Sequence, residues 1–317
     1  MKFEEPFDRK IENMNKNNLH KKYINYYNNL PSKLCNLSNI ILYGPDGIGK
    51  YTQALKIIEK YSESQLKYEK NIIINNNDSD CIIKISDIHY EIDMNILSCN
   101  SKILWGIYYS KIVDSILVKP EKSGIILIKH FQNINNDLLD IFYDYMQTKI
   151  NNIYDIKFII LTNAIGFIPN NIVNRSEIIN FSRPSKNCYQ TNLKTKIPID
   201  VRDINNISNV KNHTLSLCNK KSHLDNLIED IIHINNSNLY KIRENIYNLF
   251  IYNYNIYDSV LYILNKLINN NYINIDNCDD IFIKLTNIFY YYNNNYRQIF
   301  HLERFVVYLI NKINGFK

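Results

Sequence analysis

The chain has 317 residues, of which 45% are hydrophobic and 21% are charged, so it can bury the cores of two or three domains. A formal net charge of +6 permits a phosphate-rich partner but does not require one, because a binding face depends on clustered charge. Six scattered cysteines with no CxxC pair argue against a zinc site. The charged amino terminus argues against secretion, and the absence of an apolar run of about 18 residues argues against membrane spanning.

The first half of the chain has the pattern of an α/β fold. Residues 1–35 are polar and are predicted to be partly helical, and from about residue 40 to 181 short apolar runs alternate with amphipathic stretches. The predicted strands are 39–43, 71–75, 81–85, 124–128 and 157–161, and the predicted helices are 101–118 and 136–148. Because the strand runs are short and rich in β-branched residues, we expect parallel strands buried on both faces.

A phosphate-binding loop is predicted directly behind the first strand. The run Gly44-Pro-Asp-Gly-Ile-Gly-Lys50 has three glycines, which let the backbone curl and point its N–H groups at a phosphate. Lys50 adds a positive charge at the start of a helix whose apolar face is set by Ala54, Ile57 and Ile58. We therefore expect ATP or ADP at this loop. The residues predicted to bind it are Gly44, Pro45, Asp46, Gly47, Ile48, Gly49, Lys50, Tyr51 and Thr52.

Two departures from the usual motif weaken the expectation of ATP hydrolysis. The residue after the loop lysine should carry a hydroxyl that holds magnesium, but it is Tyr51, and Thr52 points about 100° away on the helix. The strand 124–128 should end in an acidic pair, but it is followed by Lys129 and His130. A cation at Lys129 would repel magnesium, and a lone histidine at a strand end is usually structural. We therefore assign no metal ligand and regard magnesium as doubtful.

The order of motifs resembles a known family. The strand 157–161 ends in Thr162-Asn163, and the segment IVNRSEIINFSRP follows at residues 172–184. This order resembles the small subunits of the replication factor C clamp loader and is similar to the delta-prime subunit of the bacterial loader, both AAA+ proteins, and to divergent versions carried by giant viruses. The resemblance covers residues 25–185 well and the remainder only in outline.

The resemblance implies roles for three residues outside the loop. Asn163 falls at the polar sensor position, and Asn174-Arg175-Ser176 occupies the slot of the family's Ser-Arg-Cys triplet. Arg175 is therefore the implied arginine finger, acting in trans on a neighbouring subunit's nucleotide. Arg243 is a candidate for the lid arginine that touches the γ-phosphate, with a solvated helix face as the alternative.

The character of the sequence changes beyond Pro184. Residues 185–222 are polar, and helical patterns then dominate at 223–234, 237–250, 256–269, 279–293 and 298–314. With the resemblance, this predicts an α/β AAA+ P-loop domain at 1–184, a helical lid at 185–251 and an all-helical collar for oligomerisation at 252–317.

The partners implied are other clamp-loader subunits in a hetero-oligomer, a sliding clamp and primer–template DNA bound through its backbone phosphates, with no membrane partner. An intracellular location is expected, nuclear or cytoplasmic, or a viral factory if the chain is viral. Two alternatives stay open from the residues: a P-loop kinase acting on a nucleotide or small molecule, and an AAA+-derived scaffold without catalysis.

Overall fold

The chain forms two compact units. The computed structural model describes residues 6–76, 79–97, 101–147, 154–193, 220–233, 238–251, 254–273, 278–294 and 297–315. The first unit runs to about residue 201, and the second contains the described residues from 220 onwards.

A seven-stranded sheet forms the centre of the first unit. The strands are β1 Asn39–Tyr43, β2 Lys70–Asn76, β3 Ser79–Ile85, β4 His89–Asp93, β5 Ser123–Lys129, β6 Asp155–Thr162 and β7 Ser176–Asn180. Their order across the sheet is β2-β3-β4-β5-β6-β1-β7. The five strands from β4 to β7 in that order are parallel, so their carboxyl ends share one edge of the sheet. That edge also carries the loop predicted to bind phosphate, because the loop follows β1.

Helices flank the sheet. They are α1 Phe7–Lys16, α2 Ile24–Asn29, α3 Lys50–Glu59, α4 Met94–Leu97, α5 Ser101–Leu117, α6 Asn136–Gln147, α7 Asn170–Val173 and α8 Lys186–Leu193. The predicted apolar face of α3 is confirmed, since Ala54, Ile57 and Ile58 are fully buried. Helix α1 packs against α3 and buries Phe7 and Ile11.

Three features of the sheet differ from the prediction: the direction of β2 and β3, and the presence of β4 and of β7, which were not among the predicted strands. The strands β2 and β3 exist, but they are antiparallel to their neighbours and not parallel as expected. Only residues 77 and 78 separate them, whereas a parallel connection needs a crossover of a dozen or more residues. Strand β4 was not predicted, because its sequence His-Tyr-Glu-Ile-Asp lacks the apolar run that marks a buried strand.

An aromatic cluster anchors α5 and α6 to the sheet. The Phe142 ring lies 5.1 Å from both Trp105 and Phe131 and 5.8 Å from Phe158, measured between ring centroids. All four side chains are almost completely buried. Tilted and edge-on aromatic pairs at this spacing stabilise a core beyond their buried area.

The second unit is helical. Its described helices are α9 Lys220–Ile232, α10 Leu239–Ile251, α11 Ile256–Asn269, α12 Cys278–Asn294 and α13 Gln298–Asn314. One hydrophobic core joins them. It contains Leu227 and Ile246 from one side of the predicted boundary at 251 and Leu264 and Leu309 from the other side.

The predicted fold class, an α/β P-loop domain followed by helices, is confirmed, while the boundaries at 184 and 251 stay predictions. No helix in the described part of the chain is long and apolar enough to cross a membrane.

The aromatic cluster gives a first prediction. Phe142→Ala should lower the free energy of unfolding by about 3–5 kcal/mol, because it removes a buried ring and leaves a cavity between α6 and the sheet. Val118→Ala is the control: its side chain is 87% exposed, so the change should stay within about 0.5 kcal/mol. Denaturant unfolding of the three proteins measures both values, and equal midpoints for Phe142→Ala and wild type would contradict the packing described.

Candidate nucleotide-binding site

The loop between β1 and α3 has the backbone geometry of a phosphate-binding loop. Gly47 and Gly49 adopt left-handed φ values of 72° and 89°, which glycine tolerates best. Gly44 has φ +154°, and a Cβ there would lie 2.2 Å from the carbonyl oxygen of Phe181 and 2.7 Å from Cδ1 of Ile48. The loop therefore needs glycine at 44 because neighbouring backbone approaches too closely for a side chain.

Lys50 lies inside this loop at the start of α3. Its Nζ donates to the carbonyl oxygens of Gly44 and Pro45, the latter at 2.9 Å, and to Oδ1 of Asn163 at 2.6 Å. Burial lowers the pKa of Lys50 to about 8, although the charge of Asp46 acts in the opposite direction. The structure thus brings Lys50 and Asn163 together, because β6 lies beside β1. The role of Asn163 as a sensor stays a prediction.

The remaining loop residues contribute mainly backbone. Pro45 and Asp46 are exposed, whereas the Ile48 side chain is buried. The Thr52 hydroxyl donates to the carbonyl oxygen of Gly49 at 3.1 Å. This bond attaches the Thr52 side chain to the loop backbone at the helix start, and the expectation that Thr52 does not replace the residue at 51 stays a prediction.

Tyr51 takes part in a buried polar network that sequence reasoning missed. Its hydroxyl donates to Oε1 of Glu91 on β4 at 2.7 Å. Oε2 of the same carboxylate lies 3.2 Å from Nζ of Lys129, at the end of β5. The Glu91 side chain is only 1% exposed. A buried carboxylate therefore binds Tyr51 and Lys129, one residue from each of the two departures from the usual motif.

The imidazole of His89 completes the network. Its Nε2 lies 3.4 Å from Oε1 of Glu91, and its Nδ1 is hydrogen-bonded to the Ser86 hydroxyl. All three side chains are buried, so this series of hydrogen bonds orients Glu91 and does not present a nucleophile.

The network keeps Glu91 ionised. Burial alone would raise the pKa of Glu91, but the hydrogen bond from His89 and the charge of Lys129 lower it to about 2 from an ordinary value of 4.5. The folded state therefore gains stability from this group above its ordinary pKa and loses that stability as the pH falls towards about 2.

Asp93, at the end of β4, is also paired. Its Oδ1 lies 2.9 Å from Nδ1 of His130 and accepts the backbone N–H of Asn95 at 3.0 Å. Burial would raise the pKa of Asp93, but these contacts lower it. His130 thus bridges β5 to β4, which fits the structural role expected from its position.

The segment before β1 covers the loop and was also missed by sequence reasoning. An N–H of the His20 imidazole donates to the carbonyl oxygen of Ile48 at 2.8 Å, since that oxygen can only accept. The Tyr27 hydroxyl bonds Gln53 on α3. Nζ of Lys10 lies 4.7 Å from the centroid of the Tyr51 ring. Residues 10–27 therefore fix the loop and the first turn of α3 from outside the sheet.

Arg175 lies at the opposite edge of the sheet from Lys50. It precedes Ser176, which pairs with Asn39 at the start of β1, whereas the loop follows the end of β1. Five strand residues at about 3.3 Å each separate the two edges by about 15 Å. Arg175 is exposed and its guanidinium lies 5.4 Å from the centroid of the Tyr143 ring. It cannot reach this chain's own loop, a placement compatible with the predicted action in trans.

Arg243 lies on α10 in the second unit. Its Nε and Nη2 donate to the two carboxylate oxygens of Glu303 on α13, the latter bond at 3.2 Å. Hydrogen bonding to Glu303, together with the charge of that carboxylate, raises the pKa of Arg243. This ion pair gives Arg243 a partner within its own unit, and its role as a lid arginine stays a prediction.

Comparisons with known proteins add little beyond the fold. No protein-family model matches the chain, and no curated protein sequence matches it. The RuvB Holliday junction branch migration motor of Thermotoga maritima aligns with a TM-score of 0.38 and 14% identity, over 78% of this chain and 72% of that one. PCH-2 of C. elegans aligns with a TM-score of 0.37 and 18% identity, over 59% of this chain and 49% of that one. Likenesses this remote do not assign a function.

The buried ammonium of Lys50 predicts how nucleotide binding varies with pH. Its pKa is about 8 in the free protein, and a bound phosphate raises it, so binding above that pH requires uptake of a proton. Affinity should be constant near pH 7, where a phosphate is already almost fully ionised, and should fall above pH 8 by up to about tenfold per pH unit.

Titration with a fluorescent ADP analogue at constant ionic strength measures this profile. Lys50→Arg stays charged throughout and should flatten it. Lys56→Ala is the matched control, since Lys56 lies on the same helix but pairs with Glu59 at 2.6 Å, and it should keep the wild-type slope. A wild-type affinity that does not change from pH 7 to about pH 9 would show that Lys50 does not hold the phosphate.

Proposed function

We propose that this chain is a nucleotide-binding subunit of an AAA+ clamp-loader assembly that does not itself hydrolyse ATP efficiently and that acts on a neighbouring subunit through Arg175. One observation carries the proposal: the phosphate side of the site is intact, whereas a Lys129–Glu91 ion pair and the Tyr51 hydroxyl occupy its metal side.

The intact phosphate side supports binding. Left-handed glycines, a lysine at the helix start and an asparagine beside it converge at the carboxyl edge of the sheet. The helix dipole and the loop amides attract phosphate at such a position without help from a metal.

The altered metal side supports poor hydrolysis. Phosphoryl transfer relies on metal ions to neutralise the charge that develops on the phosphate oxygens. The side chain at 51 is a phenol that donates to Glu91, and the side chain at 129 is an ammonium group. Neither is a magnesium ligand. Loss of one such electrostatic contribution typically costs about 10²–10³ in rate.

The edge position of Arg175 supports a role in trans. An exposed guanidinium at the opposite edge of the sheet from its own loop is available to another subunit, and the Tyr143 ring beside it limits its conformations. A separate feature weighs against the kinase alternative: the sequence offers no carboxylate at the end of β5, where Lys129 and His130 stand.

The clamp-loader assignment itself rests on the sequence resemblance. In such an assembly this chain would sit beside subunits that hydrolyse ATP, and together they would place a sliding clamp on primer–template DNA. Contact with DNA through backbone phosphates would be independent of sequence and sensitive to salt. Co-purification with loader subunits and a clamp tests this, and failure to assemble with any of them would favour the scaffold alternative.

The altered metal side predicts the activity of the isolated protein. Its ATP turnover should not exceed the background rate, because neither metal anchoring nor polarisation of the attacking water is provided at 51 and 129. Phosphate release measured on the purified chain tests this, with Lys50→Ala as the control for contaminating ATPases. Robust turnover that disappears in Lys50→Ala would contradict the proposal.

Arg175→Ala should leave the chain folded and able to assemble, yet reduce the ATPase rate of the complex. An arginine supplied in trans is worth roughly 10³–10⁵ in rate in related phosphoryl-transfer systems. The measurement compares turnover of complexes reconstituted with clamp and primed DNA at equal assembly. Arg9→Ala, which removes another exposed arginine of the same unit, is the matched control. Equal turnover of Arg175→Ala and Arg9→Ala complexes would reduce Arg175 to a surface residue.

A further inference from the structure

The residues at the candidate site do not fit a magnesium ion. Magnesium needs a near-octahedral shell of oxygen ligands at about 2.0–2.1 Å. The Glu91 carboxylate is the best oxygen donor near Tyr51, but its oxygens already bind the Tyr51 hydroxyl, the His89 imidazole and the Lys129 ammonium. Among the residues that the structure describes, no group of three His, Cys, Asp or Glu side chains is arranged to hold a metal ion. The positive charge of Lys129 would also repel a metal ion bound at Glu91.

Three ammonium groups surround the first turn of α3. Lys50 lies within the loop, and Nζ of Lys129 and Nζ of Lys10 lie 5.6 Å and 4.7 Å from the centroid of the Tyr51 ring. The cation–aromatic attraction holds both outer ammonium groups near this ring. Lys129 pairs with the buried Glu91 carboxylate, and the charges of Asp46 and Asp93 also act on Lys50 and Lys129, so the ammonium groups lie among carboxylates at the amino-terminal end of a helix that already favours anions.

Lys129 is also accessible to a ligand. Its side chain is 24% exposed, in contrast to the 1% of its partner Glu91. It lies at the carboxyl end of β5, two strands from β1 across the sheet and at the same edge as the loop. Glu91 and the Tyr51 ring orient the ammonium without covering it.

We propose that this site is built for a metal-free polyphosphate, a nucleoside di- or triphosphate without magnesium, and that the Lys129 ammonium supplies the positive charge that the metal supplies in related sites. The inference rests on nucleotide binding at the Lys50 loop, as in the proposed function. The Tyr51 phenol and the Glu91 carboxylate act as positioning groups, since they contact Lys129 and not the ligand. Magnesium then weakens binding, because it neutralises the phosphates and competes with Lys129 for them.

The test is a binding titration with fluorescent ADP and ATP analogues, in EDTA and in excess magnesium at matched ionic strength. The wild-type chain should bind more tightly in EDTA than in magnesium. Lys129→Ala should weaken binding in EDTA by about tenfold, whereas Lys129→Arg should largely restore it, since the charge is retained.

Lys157→Ala is the matched control. Lys157 forms a lysine–carboxylate pair with Asp155 at the same 3.2 Å distance, but it lies at the opposite edge of the sheet. Its removal should leave nucleotide affinity unchanged. Thermal unfolding of each variant, read with and without nucleotide, shows whether the variant is folded and reports binding independently of the fluorophore.

A double variant tests the converse. Tyr51→Ser with Lys129→Asp removes the phenol and the ammonium and supplies a hydroxyl and a carboxylate, so its binding should become tighter in magnesium than in EDTA. If that variant does not fold, the comparison of Lys129→Ala with Lys129→Arg decides.

The outcomes separate the two hypotheses. Wild-type binding that depends on Lys50 but strengthens severalfold on adding magnesium would overturn the metal-free site and leave nucleotide binding standing. Equal affinities of Lys129→Ala and Lys157→Ala in EDTA would also overturn the role of Lys129. A wild-type chain that binds neither nucleotide in either buffer would overturn the proposed function and this inference with it.

Discussion

The pairing of the buried Glu91 carboxylate is the interaction on which the candidate site depends. An ionised carboxylate in the interior is costly unless it is paired and hydrogen-bonded, and Glu91 has three partners from three elements. Removing one partner of a buried ion pair typically costs about 3–5 kcal/mol, because the other charge stays buried. The positions of Tyr51 and Lys129 are therefore coupled through a group that belongs to neither α3 nor β5.

The segment before β1 extends this coupling to the surface. Helix α1 packs on α3, Lys10 lies beside the Tyr51 ring, and the Phe7 ring lies 4.9 Å from the His89 ring that supports Glu91. The amino-terminal helix thus contacts both ends of the buried network. A change in the position of α1 would alter the surroundings of the Lys129 ammonium as well as the packing of α3. The geometry of the phosphate site is set by residues far from the loop in sequence.

The sequence predicted those parts of the structure that local pattern determines. The run from β1 through the loop to α3 has apolar, glycine and helical signals in immediate succession, and Asn163 follows a clear apolar strand. Helices α11 and α13 were predicted to the residue because their apolar positions repeat over four turns. The roles of Asn163, Arg175 and Arg243 depend on a bound nucleotide or a neighbouring subunit, so neither the chain nor its fold decides them.

Strand β4 could not be predicted, for a physical reason. Burial of His89 and Glu91 is stable only with partners that are not local: Tyr51 is 40 residues and Lys129 is 38 residues from Glu91 in the chain. Periodicity rules assume that buried positions are apolar, whereas these positions are polar and have hydrogen-bond partners.

The direction of β2 and β3 was missed because composition alone does not distinguish parallel from antiparallel pairing. The five residues between the predicted strands 71–75 and 81–85 were the available signal, because a parallel connection needs a dozen or more.

The departures at 51 and 129 are physically linked, because both side chains contact the Glu91 carboxylate. A carboxylate at 129 would face Glu91 and Asp93 and would need a bound metal to offset the repulsion of three like charges. An ammonium at 129 removes that need, because it neutralises Glu91 directly. The carboxylate also accepts the Tyr51 hydroxyl at 2.7 Å, alongside the His89 imidazole. Tyr51 and Lys129 both stabilise the ionised Glu91, so in the proposed metal-free site the charge balance is made by side chains.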